Sequence, residues 1–143
     1  MLPPVIHVRA DDRPELDAFL EAHINEGNAR ATGIYDGTSL NASVVDDEGQ
    51  IVAGLSGHSW GGCCTIMLLW VDEPIRGSGI GRALMLAAEA EALRRGCHQI
   101  VVSTHSFQAP RFYEKLGFRP LAVIPKNPAG YEDIIYIKEL ATA

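Results

Sequence analysis

The sequence predicts a mixed α/β fold, because strand-like and helix-like segments alternate along its 143 residues. Turn residues at Asp47-Glu48-Gly49 and at Gly61-Gly62 join three strand-like runs, which we therefore expect to pair antiparallel. A helix-like segment then separates two apolar strands, and a right-handed crossover of this kind makes those two strands parallel. We expect a mostly antiparallel sheet with a central parallel pair and helices on both faces.

The first forty residues contain one strand-like and one helix-like segment. Residues 5–9 are predicted to form a short first strand. A helix is predicted to start within Asp11-Asp12-Arg13-Pro14-Glu15, where acidic residues and an early proline favour a helix N-terminus, and to end near residue 26. Residues 27–38 are loop-like.

Three strands are predicted next, at residues 40–46, 50–59 and 63–71. The third is almost continuously apolar, which is typical of a central strand buried on both faces. The polar and glycine-rich residues between these segments supply the two turns. The middle of the chain is therefore expected to form the centre of the sheet.

A helix is predicted over residues 79–95 and is closed by Gly96, which can cap a helix C-terminus. Its apolar residues at helical spacing, which we expect to face the core, are Ile80, Ala83, Ala87, Ala90 and Leu93. A strand at residues 99–104 and a short helix at 110–116 follow. Two last strands are predicted at residues 121–124 and 134–138.

Composition and charge narrow the class of protein. A chain of 143 residues with 47% apolar and 21% charged residues fits a single globular domain, residues 1–143. No apolar run reaches the roughly 20 residues of a membrane span, and no signal-peptide core is present, so a cytoplasmic protein without a membrane partner is expected. The net charge of −6 argues against nucleic acid and suits a cationic substrate.

The three cysteines are predicted to be reduced thiols. Cys63 and Cys64 are neighbours in a strand, so their side chains point to opposite faces and do not bridge easily. Cys97 stands alone. A zinc site needs paired cysteine and histidine spacings, which are not found, so no metal is expected.

The segment Arg76-Gly77-Ser78-Gly79-Ile80-Gly81-Arg82 joins an apolar strand to a helix. Its glycines allow consecutive N–H groups to point into one concavity, the helix adds its N-terminal dipole and the arginines add charge, so it predicts a pyrophosphate site. The spacing is neither that of a P-loop nor that of the dinucleotide fingerprint. The alternative is an ordinary strand-to-helix turn.

Two motifs together resemble the GCN5-related N-acetyltransferase (GNAT) family. The first, Arg76-Gly77-Ser78-Gly79-Ile80-Gly81, is similar to the acyl-CoA motif Arg/Gln-x-x-Gly-x-Gly/Ala. The second lies within residues 109–118 and is similar to Ala-x-x-x-Tyr-x-Lys-x-Gly-Phe. The resemblance covers roughly residues 40–140 and implies acetyl-CoA as acyl donor, with a splayed central strand pair.

The resemblance implies that the pantetheine arm pairs with backbone near Leu69 and Val71, and that the pyrophosphate binds the glycine loop. The residues expected to bind the donor are Leu69, Trp70, Val71, Arg76, Gly77, Ser78, Gly79, Ile80, Gly81, Arg82, Ser106 and Phe112. Core packing is the alternative for Trp70 and Phe112. Many members of the family have asparagine where this chain has Ser106, so a hydrogen bond to the pantetheine arm would come here from a hydroxyl or from the backbone.

Tyr113 is the expected catalytic acid, since a tyrosine at this place in the family lies near the CoA sulfur and can protonate it. Its alternative is a core aromatic role. Residues 63–71 include no carboxylate to act as base, so His105 and His58 are candidates, with Asp72 more typical of a turn. Reaction without a protein base remains an alternative.

The function expected from the resemblance is direct acetyl transfer from acetyl-CoA to the primary amine of a small molecule, in a ternary complex. One alternative is a protein lysine or N-terminal acetyltransferase, and another is an acyl-CoA-binding regulator without catalysis. Two loops, at residues 26–40 and 126–131, are expected to choose the acceptor. Terminal strands of the sheet are available for a homodimer.

Overall fold

The computed structural model describes residues 1–141 and divides into two compact units. The first unit is Met1–Ile34, and the second starts at Tyr35. The single domain predicted over residues 1–143 extends beyond the described residues and stays a prediction. Within residues 1–141, no helix combines the length and apolar composition that crossing a bilayer needs.

The first unit contains one long helix, α1 (Pro14–Thr32). Pro14 opens it, and Gly33 ends it in the left-handed conformation with its N–H bonded to the Ala29 carbonyl. The predicted end near residue 26 is wrong, because the helix accommodates Gly27 and continues through Arg30, which pairs with Glu26 one turn earlier. The strand predicted at residues 5–9 is also wrong, since that segment has no neighbouring strand to bond with.

The second unit is built on a six-stranded mixed sheet with the order β1-β2-β3-β4-β6-β5. Its strands are β1 (Thr38–Val45), β2 (Ile51–Trp60), β3 (Cys63–Val71), β4 (Gln99–His105), β5 (Arg119–Pro125) and β6 (Glu132–Glu139). Within the described residues, the neighbouring strands all pair antiparallel except β3 and β4, which are parallel. The predicted mixed α/β class and the central parallel pair are confirmed.

Two helices belong to the second unit, α2 (Ile80–Arg94) and the short α3 (Pro110–Lys115), and a 3-10 turn at Glu73–Ile75 precedes α2. The residues of α2 that are buried are Leu84, Met85, Ala88 and Ala92. The predicted apolar stripe is therefore wrong, and Ala83 and Ala87 are exposed. Residues 83–88 are apolar all round the helix, so spacing alone does not select the face that packs.

The parallel pair separates halfway along β3. Its register runs only from Cys63 opposite Gln99 to Ile66 opposite Val102. Directly after the last of these pairs, Met67 of β3 has no register partner on β2, so β3 has a β-bulge at this residue. Beyond Met67 no residue of β3 pairs with β4 in the described structure, so the two strands splay as predicted.

The bulge also changes which residues of β3 face the core. Leu69 and Val71 pack against the core, whereas Leu68 and Trp70 are 70% and 51% exposed. The expectation that the whole strand is buried on both faces is therefore wrong, and so is the core role of Trp70. The extra residue inverts the alternation of side chains along the strand.

All three cysteines are free thiols, in agreement with the prediction. Cys64 and Cys97 are buried and Cys63 is partly buried. Burial raises the pKa of Cys64 to about 11, so this thiol stays protonated at neutral pH. The structure thus gives Cys64 the properties of a packing residue.

Candidate functional site

A cavity of about 570 Å³ opens where β3 and β4 splay apart. Both strands, the turn before α2, the first residues of α2, and α3 contribute to its wall. The lining residues are Ile66, Met67, Leu68, Leu69, Val71, Ile75, Arg76, Gly77, Gly79, Ile80, Gly81, Arg82, Val102, Ser103, Thr104, Gln108, Ala109, Phe112 and Tyr113. The cavity therefore connects the glycine loop to the second motif.

The glycine loop forms one side of this cavity in a backbone conformation that favours glycine. Gly77 and Gly79 have φ values of +80° and +90°, and a Cβ at either would meet no heavy atom within 4 Å. Steric crowding thus does not explain these glycines, whereas the left-handed backbone does. They bend the chain so that the loop enters α2 directly.

The loop offers a series of unpaired backbone donors. In the described residues, the N–H groups of residues 77–79 make no backbone hydrogen bond, and the first bond of α2 runs from the Ala83 N–H to the Gly79 carbonyl. The N–H groups of Ile80 and Gly81 are then unpaired as well, because they belong to the first turn of a helix. Such donors, together with the helix dipole, favour an anion.

Side-chain contacts hold this loop in place. Arg76 donates its Nε–H to the Val71 carbonyl at 2.8 Å, and the Ser78 hydroxyl donates to the Ile75 carbonyl. Arg76 and Arg82 both line the cavity. The loop therefore presents two positive charges beside its unpaired N–H groups.

Helix α2 and helix α3 approach closely beside the loop. A Cβ placed on Gly81 would lie 3.4 Å from the ring of Phe112 and 3.6 Å from the side chain of Val71. The absence of a side chain at Gly81 lets α3 bring Phe112 against the start of α2. Packing therefore favours glycine at Gly81, whereas the left-handed backbone favours it at Gly77 and Gly79.

Tyr113, on α3, is 5% exposed and lies within an aromatic cluster. Its ring packs edge-to-face on Phe112 and Phe118, with centroids 5.1 and 5.8 Å away, and is roughly parallel to Tyr136 at 6.3 Å. Burial raises the pKa of Tyr113 to about 12. Within residues 1–141 its hydroxyl has no hydrogen-bond partner, so a neutral phenol is available to a ligand in the cavity.

The structure brings together many of the predicted site residues but not all of them. Those that line the cavity are Leu69, Val71, Arg76, Gly77, Gly79, Ile80, Gly81, Arg82, Phe112 and Tyr113. Trp70, Ser78 and Ser106 do not line it, and neither do the histidines His58 and His105. His58 is exposed on β2, opposite Thr65.

His105 is the last residue of β4, and Ser106 follows it directly. The Gln108 amide oxygen accepts hydrogen bonds from the backbone N–H of His105 at 2.9 Å and from its Nδ1 at 3.1 Å. Because an amide oxygen only accepts, Nδ1 carries the proton and Nε2 keeps its lone pair in the neutral ring. The Ser106 hydroxyl accepts from the Glu132 N–H and is thereby tied to β6.

Sequence reasoning missed Gln108, although this residue both lines the cavity and holds His105. Its position directly before Ala109, the first residue of the second motif, is the signal that could have identified it. Ser103 and Thr104 were also missed as lining residues. They face the cavity because β4 has no partner on that side beyond Val102.

Sequence comparison finds similar proteins over most of the chain. The sequence model of the acetyltransferase (GNAT) family matches residues 9–118. Blasticidin-S acetyltransferase of Streptomyces morookaense is 41% identical over 140 residues, covering 97% of this chain and 98% of that protein.

Solved structures share the fold. An acetyltransferase from Bacillus cereus superposes with a TM-score of 0.76 at 30% identity, covering 94% of this chain and 98% of that one. An aminoglycoside 6'-N-acetyltransferase solved with coenzyme A gives a TM-score of 0.65 at 19% identity, covering 92% and 94%. At that identity the second comparison shows a common fold and no more.

Proposed function

Because the chain belongs to the GNAT family of acetyltransferases, we propose that it moves an acetyl group from acetyl-CoA to the primary amine of a small molecule. Transfer is direct, within a ternary complex. The observation that carries this proposal is the cavity at the strand splay, which joins the glycine loop to Tyr113.

The residues present fit acetyl-CoA as the donor. The unpaired N–H groups of the glycine loop, with Arg76 and Arg82, match a pyrophosphate. The free edge of β3 between Met67 and Val71 matches the amides of a pantetheine arm, because an extended amide chain can complete an open sheet edge. When bound, the donor supplies an acetyl thioester.

In the proposed reaction the amine nitrogen forms a bond to the acetyl carbon while the carbon–sulfur bond breaks. Backbone N–H groups on the free edge of β3 stabilise the charge that develops on the carbonyl oxygen. Tyr113 first donates a hydrogen bond to the departing sulfur, because a phenol with a pKa of about 12 is a weaker acid than a thiol. Its phenolic proton passes to the sulfur as the carbon–sulfur bond breaks, and the tyrosine regains a proton from water.

The amine must lose a proton during the reaction. His105 Nε2 is the acceptor that the Gln108 contact leaves available, which supports His105 as the base over His58 on the exposed part of β2. The proton then passes from the histidine to water. No cysteine takes part, since none of the three cysteines lines the cavity.

A small molecule is favoured as acceptor by the relative with 41% identity, whose name assigns it blasticidin S. The net charge of −6 also suits a cationic amine. The small amine and acetyl-CoA would then meet in the cavity where β3 and β4 separate.

The decisive experiment measures free CoA released from acetyl-CoA in the presence of an amine panel that includes blasticidin S, lysine peptides and N-terminal peptides. Release with small amines, together with an acetylated product by mass spectrometry, supports the proposal. Release with peptides alone would establish a protein acetyltransferase. Tight CoA binding without turnover on any amine, unchanged in Tyr113→Phe, would show a regulator.

A further inference from the structure

A second group of polar and aromatic residues lies at the end of β4, on β6, and in the loops that follow β4 and precede β6. Side chains two apart on a strand share a face, so His105 lies on the same face as Ser103, which lines the cavity. Asp133 of β6 is the register partner of His105 and therefore also lies on this face. The sheet face that carries Ser103 therefore extends beyond the cavity, through His105, to Asp133.

Asp133 has a carboxylate oxygen that lacks a partner. Its Oδ1 atom is buried without a hydrogen bond, while the residue as a whole is only partly buried. Within residues 1–141 no Lys, Arg or His side chain forms an ion pair with it. An unsatisfied buried oxygen is costly, and a cationic group of a ligand bound at the accessible part of this carboxylate would offset that cost.

Exposed aromatic rings pack against His105, the register partner of Asp133. Phe107 stacks on the ring of His105 with centroids 5.3 Å apart and meets Tyr131 edge-to-face at 5.0 Å. Phe107 and Tyr131 are 55% and 50% exposed. Exposed rings next to a carboxylate provide stacking and cation–π contacts for a flat or cationic ligand.

We propose that Asp133, Phe107 and Tyr131 form the acceptor recognition site, which selects a primary amine that also carries a flat ring and a second cationic group. The second cation binds the Asp133 carboxylate and the ring packs on Phe107. The reacting amine then reaches the cavity past Ser103 and His105. This inference rests on the proposed acetyl transfer and specifies its acceptor.

The test compares p-xylylenediamine, which has a flat ring and two amines, with 4-methylbenzylamine, which has the same ring and one amine. The wild-type enzyme should prefer the diamine by about tenfold or more in kcat/KM, the scale of one charged hydrogen bond. Asp133→Asn, which keeps the shape of the side chain, should remove the preference by raising KM for the diamine. KM for acetyl-CoA should not change.

Glu132→Gln is the matched control, because it removes a carboxylate one residue away that lies on the other face of β6. It should retain the preference. Phe107→Leu, at a side chain that is 55% exposed, should lower the preference for p-xylylenediamine over 1,8-diaminooctane, which lacks the ring. Equal preference in the wild type, in Asp133→Asn and in Phe107→Leu would overturn the inference while acetyl transfer stands.

If no amine is acetylated, the proposed function fails, and calorimetry with p-xylylenediamine and the CoA-saturated protein tests the recognition site alone. Binding that weakens about tenfold in Asp133→Asn but not in Glu132→Gln supports the site. Equal binding by the wild type and both variants overturns it.

Discussion

Arg76 donates its Nε–H to the carbonyl of Val71 across 2.8 Å, which ties the glycine loop to the last residue of β3. The loop that offers unpaired N–H groups and the strand that offers a free edge are thereby held in one geometry. An incoming donor with a pyrophosphate and an amide-bearing arm would meet both at once. The contact reduces the conformational freedom that the loop must lose on binding.

Arg76→Ala should therefore weaken the binding of acetyl-CoA more than it slows the chemical step. We expect KM for acetyl-CoA to rise about tenfold, as for the loss of one charge-assisted contact, with a smaller change in kcat. Steady-state kinetics measures both constants. Arg119→Ala, which removes an exposed arginine on β5, is the control. A larger fall in kcat than rise in KM would contradict this role of Arg76.

Gly79→Ala should strain the loop because Gly79 has a φ of +90°. We expect a loss of about 1–2 kcal/mol in the free energy of unfolding, measured by urea denaturation, and weaker acetyl-CoA binding. Gly27→Ala is the matched control, since Gly27 lies in α1 with no heavy atom within 4 Å of an added Cβ. That change should stabilise the helix by about 0.5–1 kcal/mol. Equal effects at the two glycines would refute the backbone argument.

Tyr113→Phe should lower kcat by about 10- to 100-fold and leave KM for acetyl-CoA nearly unchanged, because the hydroxyl acts on the departing sulfur. Product formation at saturating donor measures this effect. Phe118→Leu tests whether the aromatic cluster alone matters, since Phe118 packs on Tyr113 but does not line the cavity. An unchanged kcat in Tyr113→Phe would exclude the tyrosine as the acid.

Stability should fall at alkaline pH because buried thiol and phenol groups, among them Cys64 and Tyr113, must ionise. Burial raises the pKa of Cys64 from 9.0 to about 11 and that of Tyr113 from 10.0 to about 12. The folded state therefore holds both protons where the unfolded state begins to release them. The stabilising effect of the neutral groups is complete below pH 9 and is lost as pH rises through these two windows.

The free energy of unfolding, measured in urea at half-unit steps from pH 8 upward, should thus decrease by at most about 1.4 kcal/mol per pH unit for each group. Cys64→Ala should flatten the decrease that begins near pH 9, and Tyr113→Phe the part above pH 10. The same slope in the wild type and both variants would show that other groups dominate.

Leu84→Ala should destabilise the protein by about 2–5 kcal/mol, since Leu84 is 5% exposed on the buried face of α2. Leu93→Ala on the same helix should cost less than about 1 kcal/mol, because Leu93 is 39% exposed. Thermal or urea unfolding compares the two variants. Similar losses of unfolding free energy in the two variants would support the apolar stripe that the sequence predicted.

The sequence predicted the position of β3 correctly and the buried face of α2 wrongly. Glycine-marked turns and an apolar run bounded by them located β3 at residues 63–71, as observed, because turn chemistry is a local property. The packing face of α2 was missed, since six consecutive apolar residues satisfy several stripes and only the neighbouring strands decide among them.

The sequence likewise predicted only part of the candidate site. The glycine loop and Tyr113 were found from local spacing, and both line the cavity. The bulge at Met67 leaves no local signal, because it is defined by the register of β2 against β3. Gln108 and Asp133 acquire their significance only from contacts between separate elements, at His105 and across β4 and β6.

The short register between β3 and β4 has a mechanical consequence. Four residues on each strand form the parallel pairing that joins the half of the sheet made by β1, β2 and β3 to the half made by β4, β6 and β5. A molecule bound where the two strands diverge contacts both halves, so its binding free energy adds to the stability of the folded sheet. The acyl donor would then stabilise the sheet as well as take part in the reaction.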